Sequence, residues 1–258
     1  GSSPTTSSVP LGWKRRSVKS DIPDTFLYRW NGSNWTSQTS FPGHYAGRIL
    51  GTGSNELWLT LSRCALGPQA DCGGDRGGKI YRSLDGGTNW IEQVLPVEAT
   101  NHEFRTLSGT VGNIQVVADG GLILRFDGSA WSKVFTDPTE SVNAHLLLNA
   151  TEGYYVTCWG WGWWDGNTWT FNGRQFDFCD VTATWALRDP AGSLHWYAVG
   201  ANNYADGIRV WKFDPLSQSF GGRTNQVFGD GSAPETGAAT GVWGSSAADV
   251  YVIGSLAE

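Results

Sequence analysis

One short pattern returns five times along the chain: an apolar or aromatic pair, a tight turn on Asn-Gly, Asp-Gly or Asp-Pro, and a second aromatic opening the next stretch. The copies span 28–35 (YRWNGSNW), 81–90 (YRSLDGGTNW), 124–131 (LRFDGSAW), 169–176 (WTFNGRQF) and 211–220 (WKFDPLSQSF). A Gly-containing turn between alternating apolar runs signals a β-hairpin, because the turn needs positive φ and the flanking residues suit a half-buried pleat. Regular return of one hairpin along a chain predicts an array of identical supersecondary units.

Two further strand-like runs precede each hairpin, so the unit has four strands. They fall at 48–51, 56–61, 79–82 and 90–94 in the first complete unit, and at 105–107, 113–117, 122–126 and 131–135 in the second. The third unit reads 145–148, 154–158, 168–171 and 175–178, and the fourth 184–187, 194–199, 208–213 and 219 onward. The segment 25–39 supplies only a third and fourth strand, whereas 241–254 supplies only a first and second. Completing one shared sheet from these halves removes two unpaired strand edges. The expected fold is therefore all-β: a five-bladed β-propeller of four-stranded antiparallel blades, closed by pairing the N-terminal strands with the C-terminal ones. The alternative is a fragment of a larger propeller. One domain over 1–258 is expected, with residues 1–10 as a polar leader or cloning remnant.

Composition agrees with many short strands: 35 Gly and 15 Trp, with only 16% charged residues, suit strands and turns rather than helices. A net charge of −6 gives nucleic acid or anionic lipid no general attraction. No apolar run reaches the roughly 18–20 residues of a membrane span, so no membrane insertion is expected. The four cysteines Cys64, Cys72, Cys158 and Cys179 lack CxxC spacing. They read as disulfide partners, with a Cys64–Cys72 bridge stapling a long loop and Cys158–Cys179 joining two strands of one blade. This favours a secreted or cell-surface location, with which the sequons at Asn31, Asn34 and Asn149 are compatible.

Residues 83–90 (SLDGGTNW) match the Asp-box, S-x-D-x-G-x-x-W, at every fixed position. Together with the segments 242–251 and 122–131, the chain resembles Asp-box (BNR-type) β-propellers of the bacterial secreted kind. Only one Asp-box is complete; the Asp214-Pro hairpin departs from the pattern, and the Asn172-Gly version lacks the box's Ser and Trp. The motif's chemistry is local: Ser83 and Asp85 accept turn amides, Gly87 supplies positive φ, and Trp90 packs on a neighbouring strand. It does not make the chain a sialidase.

Signatures of catalysis fail. No GxSxG elbow, HExxH, phosphate loop, calcium loop or dinucleotide fingerprint is present, and His44, His102, His145 and His195 are scattered. No catalytic residue, cofactor or metal is assigned. Glu103, Asp180 and Glu235 are the acids near the starts of innermost strands, which leaves a polysaccharide hydrolase or lyase at the channel mouth as the alternative. Arg48 and Arg105 read as equivalent points on innermost strands, with His145, Trp185 and Gly241 at the same point elsewhere. If these face the channel, two guanidinium groups and an imidazole would suit an anion.

The segment 158–169 (CWGWGWWDGNTW) concentrates Trp159, Trp161, Trp163, Trp164 and Trp169 in what reads as a loop between two strands. Two of the closely spaced indoles suit a core, whereas the rest are expected to reach solvent. Exposed indole faces are rigid platforms for sugar rings, and Asp165 and Asn167 would meet sugar hydroxyls. The expected function is a carbohydrate-binding module for a glycan or other extracellular ligand. A protein partner docked on a propeller face is the remaining alternative.

Overall fold

The computed structural model describes residues 24–63, 76–137, 142–174, 179, 181–200, 209–214, 217, 219–224 and 237–256. The leader, Cys64, Cys72, Asp180, Glu235 and the expected strand at 175–178 lie outside them. The described residues form twenty strands, with no helix longer than a 3-10 turn. Four sheets are four-stranded, and each is an antiparallel meander. Sheet 1 comprises β3 (Tyr45–Gly51), β4 (Leu57–Ser62), β5 (Lys79–Ser83) and β6 (Ile91–Glu92). Sheet 2 comprises β7 (Phe104–Thr110), β8 (Asn113–Ala118), β9 (Leu122–Phe126) and β10 (Trp131–Thr136). Sheet 3 comprises β11 (Val142–Asn149), β12 (Glu152–Thr157), β13 (Gly160–Trp164) and β14 (Trp169–Arg174). Sheet 4 comprises β15 (Val181–Arg188), β16 (Leu194–Gly200), β17 (Arg209–Asp214) and β18 (Ser219–Thr224). Two-stranded hairpins flank them: β1 (Thr25–Trp30) with β2 (Trp35–Phe41), and β19 (Gly237–Ser246) with β20 (Asp249–Leu256).

The first strands β3, β7, β11, β15 and β19 pack side by side in that order. Leu147 N donates to Ser108 Oγ at 2.8 Å, and Thr182 Oγ1 donates to the Ala239 carbonyl, tying successive first strands together. Each of these strands carries a bulge near its start. The register shifts between Ala46 and Ile49, Phe104 and Thr106, Val142 and Ala144, Val181 and Ala183, and Ala239 and Gly241. A bulge adds an unpaired residue and bends the strand, and the same irregularity recurs in all five first strands.

Successive sheets bury an apolar layer between them. Trp58 and Ile80 of sheet 1 meet Phe126 and Trp131 of sheet 2. Val117 and Ile123 of sheet 2 meet Tyr155, Trp164 and Trp169 of sheet 3. Trp161 of sheet 3 packs on Trp196 and Phe213 of sheet 4, with ring centroids 5.7 and 5.0 Å apart. Burying each large apolar side chain contributes about 1.5–3 kcal/mol, so these layers hold the array together.

The repeated hairpin closes on an aromatic pair across its base: Trp30 and Trp35, Phe126 and Trp131, Trp164 and Trp169, and Phe213 and Phe220, with centroids 5.3–5.7 Å apart. The third unit differs from the sequence expectation. Its hairpin turn is Asp165–Thr168, not Asn172-Gly173, which lies inside β14, and the tryptophan-rich segment is largely strand β13 rather than loop. Asn31, Asp127 and Asp165 each turn Oδ1 onto the amides two and three residues ahead, at 2.7–3.0 Å, and a glycine with φ near +100° follows each. The three turns are one device in three copies.

Among the described residues no strand pairing joins β1–β2 to β19–β20; they are separate two-stranded sheets. The N-terminal hairpin packs on sheet 1, with Phe41 5.0 Å from Tyr81 and 6.4 Å from Trp90. The C-terminal hairpin packs on sheet 4, where Gly244 lies so close under the Trp185 ring that a Cβ would meet it at 2.7 Å. Each hairpin leaves apolar rings in solvent: Phe26, Tyr28, Trp30 and Trp35 on one, Trp243 and Tyr251 on the other.

Candidate functional site

The tryptophans of the third unit divide by strand parity. Trp161 points to sheet 4; Trp164 points to sheet 2, where Arg125 stacks 5.4 Å from its ring, while its Nε1 donates to the Ala150 carbonyl in the β11–β12 turn at 3.0 Å. Trp169 is buried too, donating from Nε1 to Gln115 Oε1 at 3.0 Å. Trp161, Trp164 and Trp169 are 5%, 1% and 6% exposed, which removes them from any solvent-facing platform. Trp159 and Trp163, at 45% and 36%, reach solvent. Trp159 precedes β13 and Trp163 lies near its far end, about 13 Å away by strand rise. The five indoles are thus no single surface. Cys158, disulfide-bonded to Cys179, anchors the Trp159 end.

Trp163 stands at the mouth of a cleft of about 820 Å³ between sheets 3 and 4. Its floor includes Trp161 and Phe213, and its rim includes Thr151, Asp165, Arg188 and Ser193. Thr151, Asp165 and Ser193 come from the turns 149–152, 165–168 and 189–193 at one end of the sheets, and Arg188 ends β15 beside them. Glu152 organises the polar side. Arg188 donates from Nε to both of its oxygens at 2.9 and 3.0 Å, Arg188 Nη2 lies 2.6 Å from Oε1, and Tyr154 Oη donates to Oε1 at 2.6 Å. Burial pushes the Glu152 carboxyl up, but the hydrogen bonds from Arg188 and Tyr154 outweigh it, and the group is held below its ordinary range. Burial and the bond to Glu152 push the Tyr154 phenol up, and the same carboxylate raises Arg188. Amides of Thr168 and Asn167 lower Asp165. Asp165 therefore holds its own turn with one oxygen, a structural duty beside the expected one, while Asn167 is exposed in the same turn. Glu152, Tyr154 and Arg188 carried no sequence signal; Arg188 ends β15 before an ordinary Asp189-Pro turn.

His145 does not join Arg48 and Arg105, which both fall within the register shifts of the adjacent strands β3 and β7. The bulge displaces Arg105 from the β7 ladder, and the residues at the matching shifts in the later sheets are Asn143, Thr182 and Thr240, not His145, Trp185 and Gly241. His145 is 5% exposed, with Nδ1 2.6 Å from Thr106 Oγ1 and its ring 6.2 Å from Trp169, so it belongs to the layer between sheets 2 and 3. Burial lowers its pKa to about 3. Arg48 is exposed on β3 and Arg105 half-buried on the adjacent β7.

Glu103 is buried at the start of β7, and burial, with Asp119 adding its charge, raises its carboxyl despite Arg105 and Arg76. Asp119 is committed to Arg76, His102 Nδ1 and the Glu103 amide, at 2.5, 2.9 and 2.8 Å. In the hairpin at 83–90, Ser83 Oγ accepts from Gly87 N at 2.8 Å and Asp85 Oδ1 from Thr88 N and Asn89 N at 3.1 and 2.9 Å, while Gly87 has φ +92°. These bonds hold Asp85 down at about 2 and fix a turn, with no group left over for chemistry on a substrate. Among the described residues, no three His, Cys, Asp or Glu side chains are grouped to hold a metal ion. No helix there is long and apolar enough to cross a membrane.

No family profile and no curated protein matches the chain. Solved structures do. YCF48 from Cyanidioschyzon merolae superposes with a TM-score of 0.52 at 15% identity, over 78% of this chain and 60% of that one. A structure of YCF48 bound to D1 peptide gives 0.48 at 17% identity, over 72% and 60%. The extracellular domain of a one-component system, BT4673 from B. thetaiotaomicron, gives 0.44 at 8% identity, over 88% and 36%. The chain spans about 60% of the length of the two YCF48 structures. At this distance the likeness is one of fold: a propeller-like array of four-stranded antiparallel sheets.

Proposed function

We propose that the chain is a carbohydrate-recognition module of a secreted or surface-exposed protein, and that the cleft beside Trp163 is its glycan site. One observation carries this: Trp163 keeps a third of its surface in solvent at the edge of a large cleft, while Trp161, Trp164 and Trp169 around it are packed away. An indole fixed by such neighbours offers an apolar face at little entropic cost, and Glu152, Arg188 and Asp165 supply hydrogen-bonding groups beside it. A hydrolase needs two carboxyl groups facing a scissile bond. Glu152 is engaged by Arg188 and Tyr154, and Asp165 by its own turn, which favours binding over bond cleavage.

The module is proposed to close as five blades, with β19–β20 and β1–β2 as halves of the fifth. Trp243, Tyr251 and Ile253 occupy the positions at which Leu146, Tyr154 and Val156 of sheet 3 face the next sheet. They are 58–67% exposed, and Ile49 on sheet 1 is 57% exposed. Joining those faces supplies each with the kind of partner every internal sheet has.

A glycan array read beside a hydrolysis screen tests the function. Saturable binding that weakens about tenfold or more in Trp163→Ala, with thermal unfolding unchanged, is the expected result. Release of reducing ends, or binding indifferent to Trp163, overturns it.

A further inference from the structure

The charges in the cleft limit what can enter it. Among the described residues its charged lining is two carboxylates, Glu152 and Asp165, and one guanidinium, Arg188. The guanidinium is spoken for: Nε and Nη2 hold Glu152, and Nη1 donates to the Gly192 carbonyl at 2.6 Å. Its charge is cancelled at contact distance, leaving only spare N–H donors for a ligand. Among the described residues no cation pairs with Asp165. Two backbone amides take Oδ1, leaving Oδ2 as an ionised acceptor at the rim, and the residue is exposed.

We infer that the cleft takes an uncharged saccharide and rejects uronate, sialic acid and sulfated sugars. This rests on the glycan reading above. A neutral ring stacked on Trp163 brings hydroxyls that donate to Asp165 Oδ2 and accept from the remaining N–H groups of Arg188. A carboxylated ring meets the uncompensated charge of Asp165, and the cation that would attract it is already paired with Glu152.

Asp165→Asn isolates the charge. Asn31 shows that asparagine caps the identical turn, accepting from Ser33 N and Asn34 N at 2.9 Å, so the variant retains the fold. Calorimetric titration of the full chain with neutral hexasaccharides of glucose, xylose, mannose and galactose, and with hexagalacturonate and sialyllactose, reads the preference. At least one neutral hexamer is expected to bind and lose about tenfold or more in Trp163→Ala, with neither acidic sugar binding comparably. In Asp165→Asn, affinity for hexagalacturonate relative to the neutral hexamer should rise about fivefold. Acidic sugars that bind as well as neutral ones and depend on Trp163 overturn the charge inference and leave the glycan site standing. An unchanged ratio in Asp165→Asn does the same. Failure of every saccharide to bind, or binding unaffected by Trp163→Ala, overturns both.

Discussion

Acid should loosen this protein through one residue before its surface carboxylates matter. His145 sits between sheets 2 and 3 against Thr106 and Trp169, and burial lowers its pKa to about 3 from 6.5. Below pH 6.5 the unfolded chain takes up a proton at this position that the folded chain refuses. Stability is intact above pH 6.5 and falls by about 1.4 kcal/mol per pH unit until the folded group protonates near pH 3. Between pH 6.5 and pH 5 the loss is about 2 kcal/mol, or roughly 4–8 °C in Tm for a chain of this size. Glu103 acts with the opposite sign: its folded pKa is raised, so the folded chain takes up that proton first, and the offset grows as pH falls from the raised value to the ordinary carboxylate range, below which it is constant. Urea unfolding from pH 7.5 to 5 measures the slope. His145→Gln, which keeps a hydrogen-bonding group for Thr106 and cannot titrate, should flatten it. An unchanged slope in that variant, or an NMR titration of the His145 ring with a midpoint near 6, refutes the reasoning.

Two glycines separate turn strain from turn contact. Gly166 and Gly32 have φ of +97° and +100°, but a Cβ on Gly166 would meet Thr151 at 2.9–3.2 Å, whereas one on Gly32 meets nothing within 4 Å. Gly32→Ala should therefore cost about 1 kcal/mol of backbone strain and Gly166→Ala about 1–3 kcal/mol more, with weakened glycan affinity, by unfolding and titration; equal costs refute this. Ring closure should show in hydrogen exchange: alternate amides of β1 and β20 are slow if those strands pair, and exchange as free edges if the array stays open.

The architecture is legible in the repeat because its hairpins are written in local chemistry, a capping Asn or Asp, a glycine of positive φ and an aromatic pair. In the third unit two such turns, Asp165-Gly166 and Asn172-Gly173, stand seven residues apart, and nothing in the local sequence says which closes the hairpin. The alternation of glycine and tryptophan across 159–163 also reads as loop, since glycine weakens a strand. The structure shows why it is a strand nonetheless: the Tyr155 ring lies over Gly162, where a Cβ would meet it at 2.3 Å, so the missing side chain is the seat of a ring on the adjacent strand. His145 stands out of register with Arg48 and Arg105 for a different reason. A bulge slips the count of inward positions by one, and no residue type announces it. Arg188 and Glu152 meet only because two sheets do, which no single segment encodes.

Sheet 3 is nailed down from both sides, by Trp161 against sheet 4 and by Trp164 and Trp169 against sheet 2. Position 163 lies beside these nails without being one of them. On the proposed reading, exchanging its side chain for tyrosine, histidine or leucine would alter what the cleft favours, while Trp164 and Trp169 keep their packing against sheet 2 and Trp161 loses only its ring contact to position 163.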